Sequence, residues 1–291
     1  MLKAAIDIGT NTSHIIIADV IDDKVQSILY RKRFYTYIAA DGIDTISQAA
    51  IGRLMKAIEH FYMKLTEYRV VSCACVGTEA LRSADNGIQI IADVQQKYGI
   101  DIDIISGTHE AKLIYQGVKQ VADLSRGHSL IVDIGGGSVE FIEVSDGKVD
   151  HVVSYPIGIA RLFKLYHHTD PISANDIHKM YHHIDSYIED LMNRSKINGA
   201  QIIGSAGTFE AIAPDMNTNE CSILTKIDFD KYYEEVVPMR LEDRMISSII
   251  PHERAKYIVA ALILVRYIFI QSNTDSLTIS PYSLKEGLLT Q

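Results

Sequence analysis

Apolar and polar positions along this chain change period at definite points, and those points mark the elements. Ala4-Ala-Ile leads into Asp7-Ile-Gly-Thr-Asn-Thr-Ser-His, and Ile15-Ile-Ile-Ala follows. That pattern predicts strand, turn, strand. Asp22-Asp-Lys24 predicts a second turn and residues 25–30 a third strand, the start of a β-meander. Ile51, Leu54, Met55, Ile58, Phe61, Tyr62 and Leu65 recur at helical spacing and predict an amphipathic helix over 46–68. A strand over 70–76 follows. A helix capped by Asn86 runs to Tyr98 and is stopped by Gly99, and a strand covers 100–105. Ser106-Gly107 opens a helix over about 108–120.

Leu130-Ile-Val-Asp-Ile-Gly-Gly-Gly-Ser-Val-Glu140 reads as a buried strand entering a glycine turn. Its layout repeats Asp7-Ile-Gly-Thr-Asn-Thr, at an offset of 126 residues between Asp7 and Asp133. Both are followed by a strand, a turn (Asp22-Asp23; Asp146-Gly147) and a third strand. One repeat of this length indicates a duplicated domain. The polar stretch Asp123-Leu-Ser-Arg-Gly-His128 places the boundary, giving domains 1–124 and 125–291, with the last helix free to pack back on the first.

In the second half, helices are predicted from Gly158 to about 167, over 173–194 with Ser173 as its cap, from after the 204–208 loop up to Pro214, over 229–250 and over 253–272. Strands are predicted over 201–203 and 274–279, a loop over 215–227, and a final helical turn over 283–289. Strands alternate with helices, so the class is α/β, with a mostly parallel sheet in each half.

Composition narrows the function. The 291 residues are 47% hydrophobic and 22% charged, with a formal net charge of −9. That argues against nucleic acid as partner, and a polyanionic substrate would need local basic residues. Cys73, Cys75 and Cys221 are an odd number without a disulfide pattern. They read as reduced thiols in a cytoplasmic protein, with Cys73 and Cys75 on a buried strand. The amino terminus meets a charge and a glycine too early for a signal peptide. The longest apolar run, 258–270, contains Arg266 and predicts a core helix, not a membrane span.

Three small-residue loops follow strands, at 7–13, 133–140 and 204–208. Glycine turns can aim several N–H groups at one anion. The chemistry that fits is phosphate on Asn11, Thr12, Gly135, Gly136, Gly137, Ser138, Gly207 and Thr208, with a divalent metal near Asp7, Asp133 and Glu140. The plain alternative is that these glycines only make turns. Glu110 alone reads as a first-turn acidic residue on a helix. His178 and His182 stand at i, i+4, but on an otherwise polar helix without a further ligand they read as a solvated face.

Seven segments in order carry a resemblance. They are residues 5–14, 77–86 (Gly-Thr-Glu-Ala-Leu-Arg-Ser-Ala-Asp-Asn), 105–118 (Ile-Ser-Gly-Thr-His-Glu-Ala-Lys-Leu-Ile-Tyr-Gln-Gly-Val), 133–140, 156–161 (Pro-Ile-Gly-Ile-Ala-Arg), 204–208 and 282–287. Over essentially its whole length the chain resembles the Ppx/GppA phosphatases, exopolyphosphatases and guanosine pentaphosphate phosphohydrolases. The resemblance implies two ribonuclease-H-like domains of the actin-like ATPase superfamily. It also implies Mg²⁺-dependent hydrolysis of a phosphoanhydride in the interdomain cleft. Glu110 matches the catalytic glutamate, which orients and deprotonates water. Arg82 matches a phosphate-binding arginine. Asp133 and Glu140 match the metal-side carboxylates, and Asn11 and His14 the first loop. His14 reads equally as a structural histidine, while Lys112 and Arg161 are candidates for holding the rest of the substrate.

Two departures stand out. His109-Glu110 replaces a frequent glutamate pair, keeping the second, and Gly77-Thr78 replaces Ala-Thr. The chain ends where many members continue into helical domains, so it resembles the short type, with weaker processivity on long chains the expectation. The resemblance also raises a homodimer. The expected function is an exopolyphosphatase, with guanosine pentaphosphate as the alternative substrate. A non-catalytic polyphosphate or alarmone sensor is the alternative from another class. An actin-like ATPase would need an adenosine pocket that only the 204–208 segment could begin to supply.

Overall fold

The computed structural model describes residues 1–40, 42, 44–194, 197, 199–212 and 220–291. The chain divides into two compact units, Met1–Gln120 with Tyr282–Gln291, and Val121–Pro281. The first unit contains β1 (Leu2–Ile8), β2 (Thr12–Ile21), β3 (Lys24–Tyr35), α1 (Gln48–Glu67), β4 (Ser72–Gly77), α2 (Glu79–Ser83), α3 (Gly87–Tyr98), β5 (Asp103–Ile104) and α4 (Gly107–Val118). The second contains β6 (His128–Ile134), β7 (Val139–Ser145), β8 (Lys148–Tyr155), α5 (Ile159–Tyr166), α6 (Ala174–Met192), β9 (Gln201–Ser205), α7 (Ala206–Ile212), β10 (Ser222–Thr225), α8 (Lys226–Val236), α9 (Leu241–Ile246), α10 (Ile258–Ser272) and β11 (Ser276–Ile279). The last helix, α11 (Leu284–Leu288), belongs to the first unit.

The first sheet has the order β3-β2-β1-β4-β5, and the second β10-β11-β9-β6-β7-β8. In each, an antiparallel meander (β1–β3; β6–β8) is extended by strands parallel to its first member (β4, β5; β9, β11). The sheets are thus mixed, not mostly parallel. The reason lies in the turns. Asp22 and Asp23 have φ of 48° and 56°, and Asp146 and Gly147 have 47° and 75°. Two residues at positive φ make the tight hairpin that joins antiparallel strands only.

The core of the first unit lies between the sheet and α1 and α3, where Ile6, Ile8, Ile15 and Ile17 meet Leu54, Ala57, Phe61, Ile90 and Val94. On the sheet, α11 packs against β1 and β2, and it also packs closely on α4. The α4–α11 contact depends on two glycines. A Cβ on Gly117 would lie 2.0 Å from the Ser283 carbonyl oxygen, and one on Gly287 1.9 Å from that of Leu113. In the second unit α10 is buried almost all round and packs on α5, α6 and α8. Its half-buried Arg266 lies over the Tyr233 ring at 4.3 Å, so the charge inside the apolar run sits at the edge of the core against an aromatic face. Among the described residues no helix is long and apolar enough to cross a membrane.

Several predicted elements differ. Asn86 occupies the N-cap position of α3, but its side chain instead bonds the backbone N–H (3.0 Å) and carbonyl (2.8 Å) of Ile46. The helix expected over 229–250 begins at Lys226 and breaks into α8 and α9, because Pro238 cannot supply a helical N–H. The strand expected over 100–105 shrinks to β5. Within the loop expected over 215–227 lie β10 and the start of α8, while 215–219 and the expected helix end at Pro214 fall outside the described residues. Cys73 is exposed and Cys75 buried, and all three thiols are free.

Candidate active site

In the second unit the glycine loop joins β6 to β7. Gly135 N–H donates to the Ser138 carbonyl (3.0 Å), closing the hairpin from one side only. The remaining loop carbonyls turn to the start of α5. Gly137 accepts from Gly158 N–H (3.2 Å), Gly135 from Ile159 N–H (3.1 Å) and Gly136 from Ala160 N–H (2.9 Å). This close seat requires Gly158, where a Cβ would stand 2.5 Å from the Gly136 backbone. In a trans peptide the C=O and N–H point in opposite directions. With those three carbonyls aimed at α5, the N–H groups of Gly136, Gly137 and Ser138 are aimed away from it. Successive N–H groups on one side of a turn form an anion-binding concavity.

Below that turn runs a polar row across four strands. Ser154 pairs with Glu140, Glu140 with Asp133, and Asp133 with Ser205. Asp133 is 6% exposed and Glu140 1%. Ser205 donates to Asp133 Oδ2 and Ser154 to Glu140 Oε1, each at 2.7 Å. Two carboxylates directly opposite on adjacent strands repel each other. An all-oxygen set of two buried carboxylates with hydroxyl neighbours is the chemistry a hard divalent ion would fit.

The first unit repeats this construction with different residues. Gly9 N–H donates to the Thr12 carbonyl (2.9 Å), while Thr10 and Asn11 carbonyls accept from Ile38 (2.8 Å) and Tyr37 (2.9 Å). Arg53 holds that segment by donating to the carbonyls of Thr36 (2.8 Å) and Tyr37 (3.0 Å). The Asn11 and Thr12 N–H groups therefore face away from it. The row reads Val76, Asp7, His14, Arg33. Where the second unit has a second carboxylate, the first has an imidazole, and His14 Nε2 lies 2.9 Å from Thr12 Oγ1. Among the described residues no group of three or more His, Cys, Asp or Glu side chains converges as a metal site.

Glu110 sits in the first turn of α4 at 9% exposure, beside exposed His109. Ser106 caps this helix, its Oγ accepting from His109 N–H (3.2 Å) and its carbonyl from Glu110 N–H (2.9 Å). The positive end of the helix dipole favours a negative charge there. The segment before the cap is fixed twice: Ile105 N–H donates to the Gly77 carbonyl (3.1 Å), and Arg82 donates to the Ile105 carbonyl (2.5 Å). The guanidinium also pairs with Glu79. Arg82 thus braces the helix that carries Glu110, a task its spacing did not announce.

The expected loop at 204–208 has no loop residues. Gly204 and Ser205 end β9, and α7 begins at Ala206. A Cβ on Gly204 would lie 2.5 Å from the Phe209 ring, so its smallness serves packing. Thr208 donates its hydroxyl to the Ile134 carbonyl (2.8 Å), tying α7 to the strand end before Gly135. A Cβ on Gly207 would lie 2.3 Å from a terminal nitrogen of the flexible Arg254 side chain. Arg254, from the turn His252–Arg254, thus brings a cation against the start of α7. It went unnoticed because nothing local in the sequence ties it to Gly207. Arg161 lies on α5, and Lys112 is exposed on α4. His178 and His182 are exposed, and His183 packs between Tyr166 and Tyr187, each 5.2 Å away.

A profile of the Ppx/GppA phosphatase family matches residues 16–291. The chain is 30% identical to a solved exopolyphosphatase from Cytophaga hutchinsonii, with a TM-score of 0.93 over 99% of this chain and 96% of that one. It is also similar to the solved Aquifex aeolicus Ppx/GppA family member, at 24% identity and a TM-score of 0.83 over 100% and 96%. The duplicated strand–loop–strand units, the carboxylate row and the capped Glu110 helix therefore sit in a chain that belongs to the Ppx/GppA phosphatase family, a phosphoanhydride hydrolase.

Proposed function

We propose that this enzyme is an exopolyphosphatase, removing the terminal phosphate of inorganic polyphosphate with Mg²⁺ or another divalent cation. The observation that carries the reading is the glycine loop, whose carbonyls are drawn to α5 so that the Gly136, Gly137 and Ser138 N–H groups turn the other way. Within the same unit Thr208 holds the loop through the Ile134 carbonyl, beside Gly207, and in the first unit the Asn11 and Thr12 N–H groups offer phosphate a second turn of the same kind. The buried pair Asp133 and Glu140 suits the metal, which when bound neutralises charge on the phosphoryl oxygens. Asp7 faces His14, with Arg33 beyond it on the next strand, and its row supplies no second carboxylate. Glu110 orients water and takes its proton as the water attacks phosphorus. Arg82 binds phosphoryl oxygens through its guanidinium, which also reaches Glu79 and the Ile105 carbonyl. The 30% identical neighbour, itself an exopolyphosphatase, favours polyphosphate over guanosine pentaphosphate. Free thiols fit a reducing cytoplasm.

The test is phosphate release measured side by side on tripolyphosphate, long polyphosphate and guanosine pentaphosphate with Mg²⁺. Higher kcat/KM on either polyphosphate supports the reading. Release from guanosine pentaphosphate alone moves the assignment to that substrate, and no release from any substrate removes it.

A further inference from the structure

Glu79 and Arg82 lie three residues apart on α2 and form an ion pair, with side chains 14% and 26% exposed. Glu79 is held from both sides: Ser83 Oγ donates to its Oε1 (3.2 Å), and Arg82 binds its Oε2. A guanidinium fork matches a carboxylate and a phosphate by the same geometry. A carboxylate fixed beside an arginine therefore competes with any phosphate for the same donors. Arg82 is also anchored independently, through the Ile105 carbonyl at 2.5 Å.

We propose that Glu79 is an internal competitor that sets how tightly this enzyme holds phosphate and polyphosphate at Arg82. It acts through Arg82 and touches no reacting atom. The inference rests on the reading of Arg82 as a phosphate ligand. The benefit would lie in release: equal tightening of substrate and product lowers KM without raising kcat, and tightly held phosphate slows turnover.

The test measures tripolyphosphate and inorganic phosphate binding by calorimetry, alongside KM and kcat, for wild type, Glu79→Gln, Glu79→Asp, Arg82→Gln and the Glu79→Gln/Arg82→Gln pair. Neutral glutamine keeps the size but weakens the competing contact. Binding should tighten about fivefold, the scale of a partly exposed ion pair, and KM should fall with it. Glu79→Asp should shift in the same direction by less, and it carries the test if the glutamine variant folds poorly. In the Arg82→Gln background the Glu79 change should do nothing. Unchanged or weaker binding in Glu79→Gln, or an equal effect without Arg82, overturns the proposal even if the enzyme hydrolyses polyphosphate. Tighter binding in a protein that hydrolyses nothing upholds it while removing the hydrolase reading.

Discussion

Asp133 and Glu140 face each other across β6 and β7 in the register that pairs Asp7 with His14 across β1 and β2. The duplication kept the backbone and changed the charge: one row holds two acids, the other an acid beside a base. Asp133→Asn should therefore raise the thermal midpoint of the metal-free protein, by relieving repulsion between buried carboxylates. The same change should abolish stabilisation by millimolar Mg²⁺ and reduce phosphate release. Thermal unfolding with and without Mg²⁺ checks both signs. A metal-free variant less stable than wild type, with its Mg²⁺ shift intact, would contradict the assignment.

Gly158→Ala should disable the loop. Its Cβ would meet the Gly136 and Gly137 backbones at 2.5 Å, and no flexible side chain can yield. We expect a stability loss of about 1–3 kcal/mol. Displacing the N–H groups by even about 1 Å should lower kcat/KM about a hundredfold. Urea unfolding and phosphate release separate the two effects.

Gly287→Ala should act on the first unit through the α4–α11 contact, where a Cβ would lie 1.9 Å from the Leu113 carbonyl. Separating the helices should cost about 3 kcal/mol, read as a lower urea midpoint. Because α4 carries Glu110, activity should fall in the fraction that remains folded.

Stability should also respond to pH through His167. It is buried at the end of α5, its ring centroid 4.8 Å from that of Phe163. Among the described residues its Nδ1 has no hydrogen-bond partner. Burial, helped by the nearby Arg244 guanidinium and His168 against Asp170 and Asp176, holds the imidazole below its ordinary value. The folded state thus resists protonation more than the unfolded chain does. Its contribution is complete above pH about 6.5 and is lost as pH falls toward the depressed folded value. A His167→Gln variant should show a shallower fall in thermal midpoint between about pH 7 and pH 5 than wild type.

What the sequence could reveal followed chain locality. The repeated strand–turn–strand and the caps at Ser106 and Ser173 were legible, because turn residues and capping hydroxyls act within a few positions. The rows were not. That Arg33 stands beside His14 while Ser154 stands beside Glu140 depends on register between strands joined by separate turns. Arg254 against Gly207, and Arg82 on the Ile105 carbonyl, are tertiary contacts with no local signature. The 204–208 segment misled for the opposite reason. Its small residues resemble a loop, yet Gly204 is small because Phe209 packs on it. Pro238, by contrast, marks the break between α8 and α9 in the sequence itself.

The most direct measurement compares phosphate release from tripolyphosphate by wild type and Glu110→Gln, with binding followed in parallel. Glutamine keeps the shape on α4 and removes the base. Wild type should release phosphate with Mg²⁺, and the variant should lose at least about a hundredfold in kcat, the range for a general base, while still binding tripolyphosphate. A variant that turns over at the wild-type rate would contradict the role given to Glu110, and a wild type as silent as the variant, with binding intact, would make this protein a phosphate-chain binder instead of a hydrolase.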